Sequence, residues 1–162
     1  DPKLPIDFKV KDIYIATFSD SFYIFSKDDS IHSFINIIIA SNWIFSAVIE
    51  KELPLKGAIA YGLTSIIKEK QIYFGKPIID AFLLQNQVNY YGIVLHNSVD
   101  KFIENTQPTL EFKKVEKMYF KADTYLKSGK INHTNLNWFE TFNKNNDTKI
   151  SVKEILNKIK VP

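Results

Sequence analysis

From Ile31 to Ile49 the chain runs nineteen residues without an Asp, Glu, Lys or Arg. A stretch that apolar has two homes. One is the hydrocarbon of a bilayer, which about 20 such residues cross as a helix; the other is the interior of a folded domain. Six polar side chains interrupt the run (His32, Ser33, Asn36, Ser41, Asn42 and Ser46), and all but Ser41 fall on one half of a helical wheel. That pattern predicts an amphipathic helix over residues 31–51, packed into a soluble domain and not spanning a membrane. Asp28-Asp29-Ser30 ahead of it offers N-cap chemistry, and Leu53-Pro54 closes the helical region.

The rest of the composition agrees with a folded domain. A chain of 162 residues is one domain of ordinary size, and 45% apolar with 14% aromatic content excludes disorder. The net charge of +3 is too small to imply a nucleic acid or membrane-surface partner. There is no cysteine, which removes disulfides, thiolate nucleophiles and zinc–thiolate sites. All 21 basic residues are lysine, so a planar guanidinium fork on a phosphate would have to come from another chain. An Asn-, Ile- and Lys-rich chain without cysteine fits a cytoplasmic, bacterial setting. The chain opens on Asp1-Pro2 with no Met, which leads us to expect processing or trimming of an upstream segment, and nothing reads as a signal peptide.

Tyr14-Ile-Ala-Thr-Phe-Ser-Asp-Ser-Phe-Tyr-Ile-Phe25 reads as a β-hairpin, with strands at about Val10–Ser19 and Ser21–Ser26 meeting at a polar tip. Strands this apolar are expected to be buried, which would leave the Asp20 carboxylate in need of a partner such as a metal ion; the alternative is that Asp20 merely makes the turn. Residues 1–9, with Pro2 and Pro5, are expected to form a lead-in loop. Strands Leu55–Leu63 and Ser65–Phe74 are expected to pair around Gly62. Gly75-Lys-Pro77 then opens a helix to about Val88, with proline in the first turn. A strand at Tyr91–His96, a short helix at Ser98–Glu104 and a loop at Asn105–Pro108 follow. One or two strands are expected between Leu110 and Trp138, turning at Ser128-Gly129. The order ββα ββα β implies an α+β layer fold.

Phe18-Ser-Asp-Ser21, Leu55-Lys-Gly-Ala-Ile-Ala-Tyr-Gly62, Tyr73-Phe-Gly-Lys-Pro-Ile-Ile-Asp-Ala-Phe-Leu-Leu84 and Tyr91-Gly-Ile-Val-Leu95 occur in that order. The succession resembles the catalytic palm of class III nucleotide cyclases, particularly their divergent bacterial branch, over roughly residues 10–138. The resemblance implies a ferredoxin-like palm, an antiparallel sheet with helices packed on it, covering residues 1–138 and followed by a helical tail over 139–162. The family's first central strand, which carries its first metal-binding Asp, has no counterpart among the 19 residues ahead of Asp20. A sheet lacking that strand would leave backbone groups unpaired.

The same resemblance implies an activity. A nucleoside triphosphate would be converted to its 3′,5′-cyclic nucleotide and pyrophosphate with Mg²⁺ or Mn²⁺, in a homodimer whose active site lies between two palms. The long helix over 31–51 offers a broad apolar surface for that dimer, or ordinary core. Asp20 corresponds to the second metal carboxylate. Tyr14 and Ile72 stand where purine-specific relatives place a base-reading Lys and Asp, and neither reproduces that pair. That departure favours a pyrimidine such as UTP or CTP, as in the cyclases of bacterial anti-phage signalling. Lys127 corresponds to the late-strand lysine on the triphosphate, and Lys56 to the basic residue that opens the R-G-A-I strand. Ile79 and Leu83 occupy the positions of the transition-state Asn and Arg. The alternative is a catalytically degenerate palm that binds a nucleotide or a protein partner.

A second pattern lies in the tail. Asn143–Glu154 resembles a single EF-hand loop, but position 1 is Asn and position 6 is Thr148, where Gly makes the bend. With those departures, a polar loop followed by a helix with the capping box Ser151-x-x-Glu154 is the better reading. The three histidines, at 32, 96 and 133, share no ligand spacing.

Overall fold

The computed structural model describes residues 12–106 and 109–145, with side chains to residue 142. The charge-free run forms α1, Ile31–Glu50, capped by Ser30, whose side chain accepts from the Ser33 N–H. Twelve of its twenty residues are buried, Ile38, Phe45 and Ile49 completely. The half of the wheel expected to face water does not. Ser33, Asn36, Asn42 and Ser46 are all buried with the apolar positions, and among those six polar side chains only His32 is exposed. α1 is a core helix on nearly every side.

Two chain segments cover that polar half. α5 (Trp138–Asn145) packs Trp138 against Phe45 at 5.0 Å between ring centroids, and Ser46 Oγ donates to the Trp138 carbonyl at 3.2 Å. A 3-10 turn at Glu116–Met118 receives the Asn42 amide on the Met118 carbonyl at 3.4 Å. Phe142, from the same helix, shares the core cluster with Trp138.

The first hairpin forms as read, β1 (Ile13–Phe18) with β2 (Ser21–Ser26), in the register Tyr14↔Phe25 and Phe18↔Ser21. Its strands, however, are largely half-buried or exposed; only Ala16 is buried. The expected pairing of 55–63 with 65–74 does not form. β3 (Gly57–Ile59) pairs in parallel with β6 (Ile93–Leu95). Residues 65–74 fold back on themselves as β4 (Ser65–Ile67) and β5 (Ile72–Phe74). The polar tripeptide Lys68-Glu-Lys70 makes a 3-10 turn there, and Gln71 closes it at φ 51°.

α2 (Lys76–Gln87) follows Gly75, at φ 151°, where a Cβ would sit 2.6 Å from the Leu63 carbonyl oxygen. After α3 (Asn97–Asn105), residues 110–115 form α4 (Leu110–Val115) and not a strand, because Thr109 caps the Phe112 N–H at 3.1 Å. β7 (Tyr119–Leu126) and β8 (Gly129–Leu136) complete a four-stranded sheet of order β3-β6-β8-β7. The architecture is α+β. The sheet is mixed and not antiparallel, and β1–β2 stands apart from it as a two-stranded sheet.

Two substitutions in α1 check this packing by urea denaturation. Phe45→Ala removes a fully buried ring from the α1–α5 contact and is expected to cost about 3–5 kcal/mol. Asn36 is 1% exposed, and its side-chain amide has no hydrogen-bond partner among the described residues. Asn36→Leu is therefore expected to raise stability by about 1–3 kcal/mol.

Candidate functional groove

The hairpin β1–β2 and the edge strand β3 face one another across a groove of about 950 Å³. Three residues expected in a site line it together: Tyr14 from β1, Asp20 from the β1–β2 turn and Lys56 just ahead of β3. Forty-two positions separate Tyr14 from Lys56 in sequence, and the fold alone brings them to one surface.

Asp20 is exposed, where burial between strands was expected. Ser19 takes φ 52° to make the bend that carries it. Its carboxylate accepts from the Ser21 hydroxyl at 3.3 Å and otherwise looks into the groove. Lys56 is half-buried, its ammonium 3.5 Å from the Val88 carbonyl oxygen.

Tyr14 sits in an aromatic cluster. Tyr14, Phe18, Tyr23 and Phe25 share one face of the hairpin by the strand register, and Tyr73 of β5 packs on them. The Tyr14 and Tyr73 hydroxyls are 2.6 Å apart, and the Lys68 ammonium lies 4.6 Å from the centre of the Tyr14 ring. The Tyr14 hydrogen bond, helped by burial, holds the Tyr73 phenol above its ordinary pKa.

Ile72 is exposed and does not line the groove. Its neighbour Tyr73 does not line it either and meets the site through Tyr14. Nothing in Lys68-Glu-Lys70 pointed to Lys68, which does line it. Lys127 is not brought to the groove either. It lies exposed in the β7–β8 turn, and β7 and β3 form opposite edges of the four-stranded sheet. Ile79 and Leu83 are exposed on α2.

Asp12, Asp20, Asp28 and Asp29 line the groove, but among the described residues no three His, Asp or Glu side chains form a metal-binding group. Asp28 is committed to α1: it accepts from Ser30 Oγ at 2.6 Å and Ser33 Oγ at 2.5 Å, as well as from the Ser30 N–H. Asp20 alone offers a divalent ion one carboxylate, which suits Mg²⁺ only where substrate phosphates complete the shell. The EF-hand-like stretch beyond Asn145 lies outside the described residues.

A second cluster lies away from the groove. Thr134 Oγ1 donates to Asp100 at 2.6 Å, and His133 Nδ1 is 3.8 Å from the same carboxylate. Burial pushes the His133 imidazole below its ordinary pKa against the pull of Asp100.

The hydroxyls of Ser30 and Ser33 lower the Asp28 pKa to about 2 from 3.8. A carboxyl depressed in the folded state stabilises fully above its unfolded pKa, and that contribution is lost as pH falls through the folded value. In acid-unfolding titrations monitored by circular dichroism, Asp28→Asn is expected to flatten the fall in stability between about pH 4 and pH 2.

No family model, curated protein or solved structure matches the chain.

Proposed function

We propose that the groove is a nucleoside triphosphate site on a palm of the class III cyclase type, acting as a homodimer. The observation that carries this reading is the convergence of Tyr14, Asp20 and Lys56 on one groove, with Tyr73 and Lys68 beside them. Each has a chemical role. The Tyr14–Tyr73 pair offers ring faces for stacking and hydroxyls that can donate to a base carbonyl. Neither hydroxyl carries charge, which suits a pyrimidine such as UTP or CTP at least as well as a purine. Lys56 and Lys68 would meet phosphate as point charges. Asp20 would share Mg²⁺ or Mn²⁺ with the phosphates, and the ion would neutralise charge developing on them.

A second reading is favoured by α2. Ile79 and Leu83 project exposed apolar side chains from the positions where the resemblance calls for polar transition-state groups. A palm built so would bind a nucleotide without turning it over.

Incubation of the chain with ATP, GTP, CTP or UTP and Mg²⁺ or Mn²⁺, followed by mass spectrometry of the products, separates the two. Cyclic product is expected on the first reading, with Asp20→Ala lowering the rate by about 100-fold, the scale for losing one electrostatic stabiliser. Equal turnover by the variant would remove Asp20 from the mechanism. Thermal stabilisation by a triphosphate, weakened in Tyr14→Ala and without product, would establish the second. Neither product nor stabilisation would overturn both.

A further inference from the structure

β6 ends at Leu95, and the residue after it joins three parts of the fold. The His96 N–H donates to the Ile59 carbonyl of β3 at 2.7 Å. Its imidazole caps α3, where Nδ1 accepts from the Ser98 N–H at 3.2 Å. A backbone N–H can only donate, so Nδ1 carries a lone pair and the neutral ring keeps its proton on Nε2. The Ser98 hydroxyl then donates to the same Nδ1 at 2.9 Å, and its oxygen accepts from the Tyr61 N–H at 2.9 Å. Tyr61 also packs on Phe102 of α3, with ring centroids 4.5 Å apart. Ala60, Tyr61, Gly62 and Leu63 line the groove, so this wall of it is tied to α3 through a histidine cap.

The usual caps, Ser, Thr, Asp and Asn, keep their acceptor near neutral pH, whereas an imidazole loses its own on protonation. A carboxylate stands ready for the charged ring. Asp80 Oδ2 of α2 lies 3.9 Å from the same Nδ1, with its side chain 15% exposed. Lys76 holds Asp80 at 2.7 Å, but the lysine is 81% exposed, and a pair so open to water yields at little cost. A positive charge at the start of α3 is also opposed by the helix dipole, which drives a protonated ring off the cap.

We propose that His96 is a proton-operated catch on the groove wall. Neutral, it caps α3 and keeps the Ser98 oxygen on the Tyr61 N–H. Protonated, its Nδ1 becomes a donor facing the Ser98 N–H, so the ring turns to Asp80, the cap is lost and residues 60–63 come free of α3. Asp100 in the first turn of α3 adds to the pull of Asp80. Lys76 acts against it, as does His133 of β8 when charged, and Lys121 of β7 faces that second histidine. The catch does not rest on the nucleotide reading, since it needs only the ring and the loop.

The test is amide exchange by NMR on the whole chain without nucleotide, with protection corrected for the intrinsic pH dependence of exchange. From about pH 7.5 to about pH 5.5, the range in which imidazoles titrate, protection at Tyr61 and Ser98 is expected to fall. The fall is expected to be about fivefold or more, the scale of one lost hydrogen bond, while Val94 in β6 holds steady. Imidazole nitrogen shifts at the upper pH are expected to show a bare Nδ1 on His96. His96→Asn supplies a cap acceptor that does not titrate, so its protection is expected to stay level over the same range. Asp80→Asn removes the carboxylate that draws the protonated ring and should move the transition to lower pH. Should either variant fail to fold, the profile and the nitrogen shifts of the unaltered chain decide. Tyr61 protection that ignores pH, a proton on Nδ1 at the upper pH, or an unmoved transition in Asp80→Asn would each overturn the proposal. So would the same fall in His96→Asn, which would assign the effect to His133.

Discussion

Burial of α1 from nearly all sides is the constraint on which the other elements depend. A helix that places Ile38, Phe45 and Ile49 out of water on one side and Ser33, Asn36 and Ala40 on another must be surrounded. Two of its polar side chains bond to carbonyls in the interior. Asn42 reaches the Ile38 and Met118 carbonyls, and Ser46 reaches those of Asn42 and Trp138. Each such bond lets a backbone carbonyl approach the core without losing a partner, and so ties α5 and the turn before β7 to the helix.

The groove follows from the same arrangement. A twenty-residue helix is about 30 Å long, enough to carry more than one layer of strands. The β1–β2 hairpin rests on α1, while the four-stranded sheet shares the core cluster through Ile93, Leu95 and Leu136. The two sheets do not pair with one another, and residues of both line the groove. The candidate site is therefore a consequence of sheet topology. Its residues are held by two separate sheets, and their spacing is set by how those sheets sit on one helix.

Much of the local structure was legible. The hairpin around Ser19-Asp20, the helix after Ser30 and the proline-led helix after Gly75 each announce themselves by period and by capping or turn residues. Where the reading failed, a short polar device outweighed a longer pattern. Lys68-Glu-Lys70 broke one expected strand into a hairpin, and Thr109 began a helix where a strand was expected. In the site, Tyr14, Asp20 and Lys56 converge on one groove, whereas Ile72 does not line it. Lys127 misses by the width of a sheet.

Periodicity and capping act over a few residues, so the sequence by itself determined that residues 31–50 are helical and that residues 13–26 turn back on themselves. Which strands pair is a non-local choice, decided by what each buries once the chain has collapsed. Only the tertiary structure could therefore decide that β3 lies parallel to β6 and not against β4. It also decided that the polar half of α1 turns inward, where Asn42 and Ser46 meet the carbonyls of Met118 and Trp138 from far along the chain.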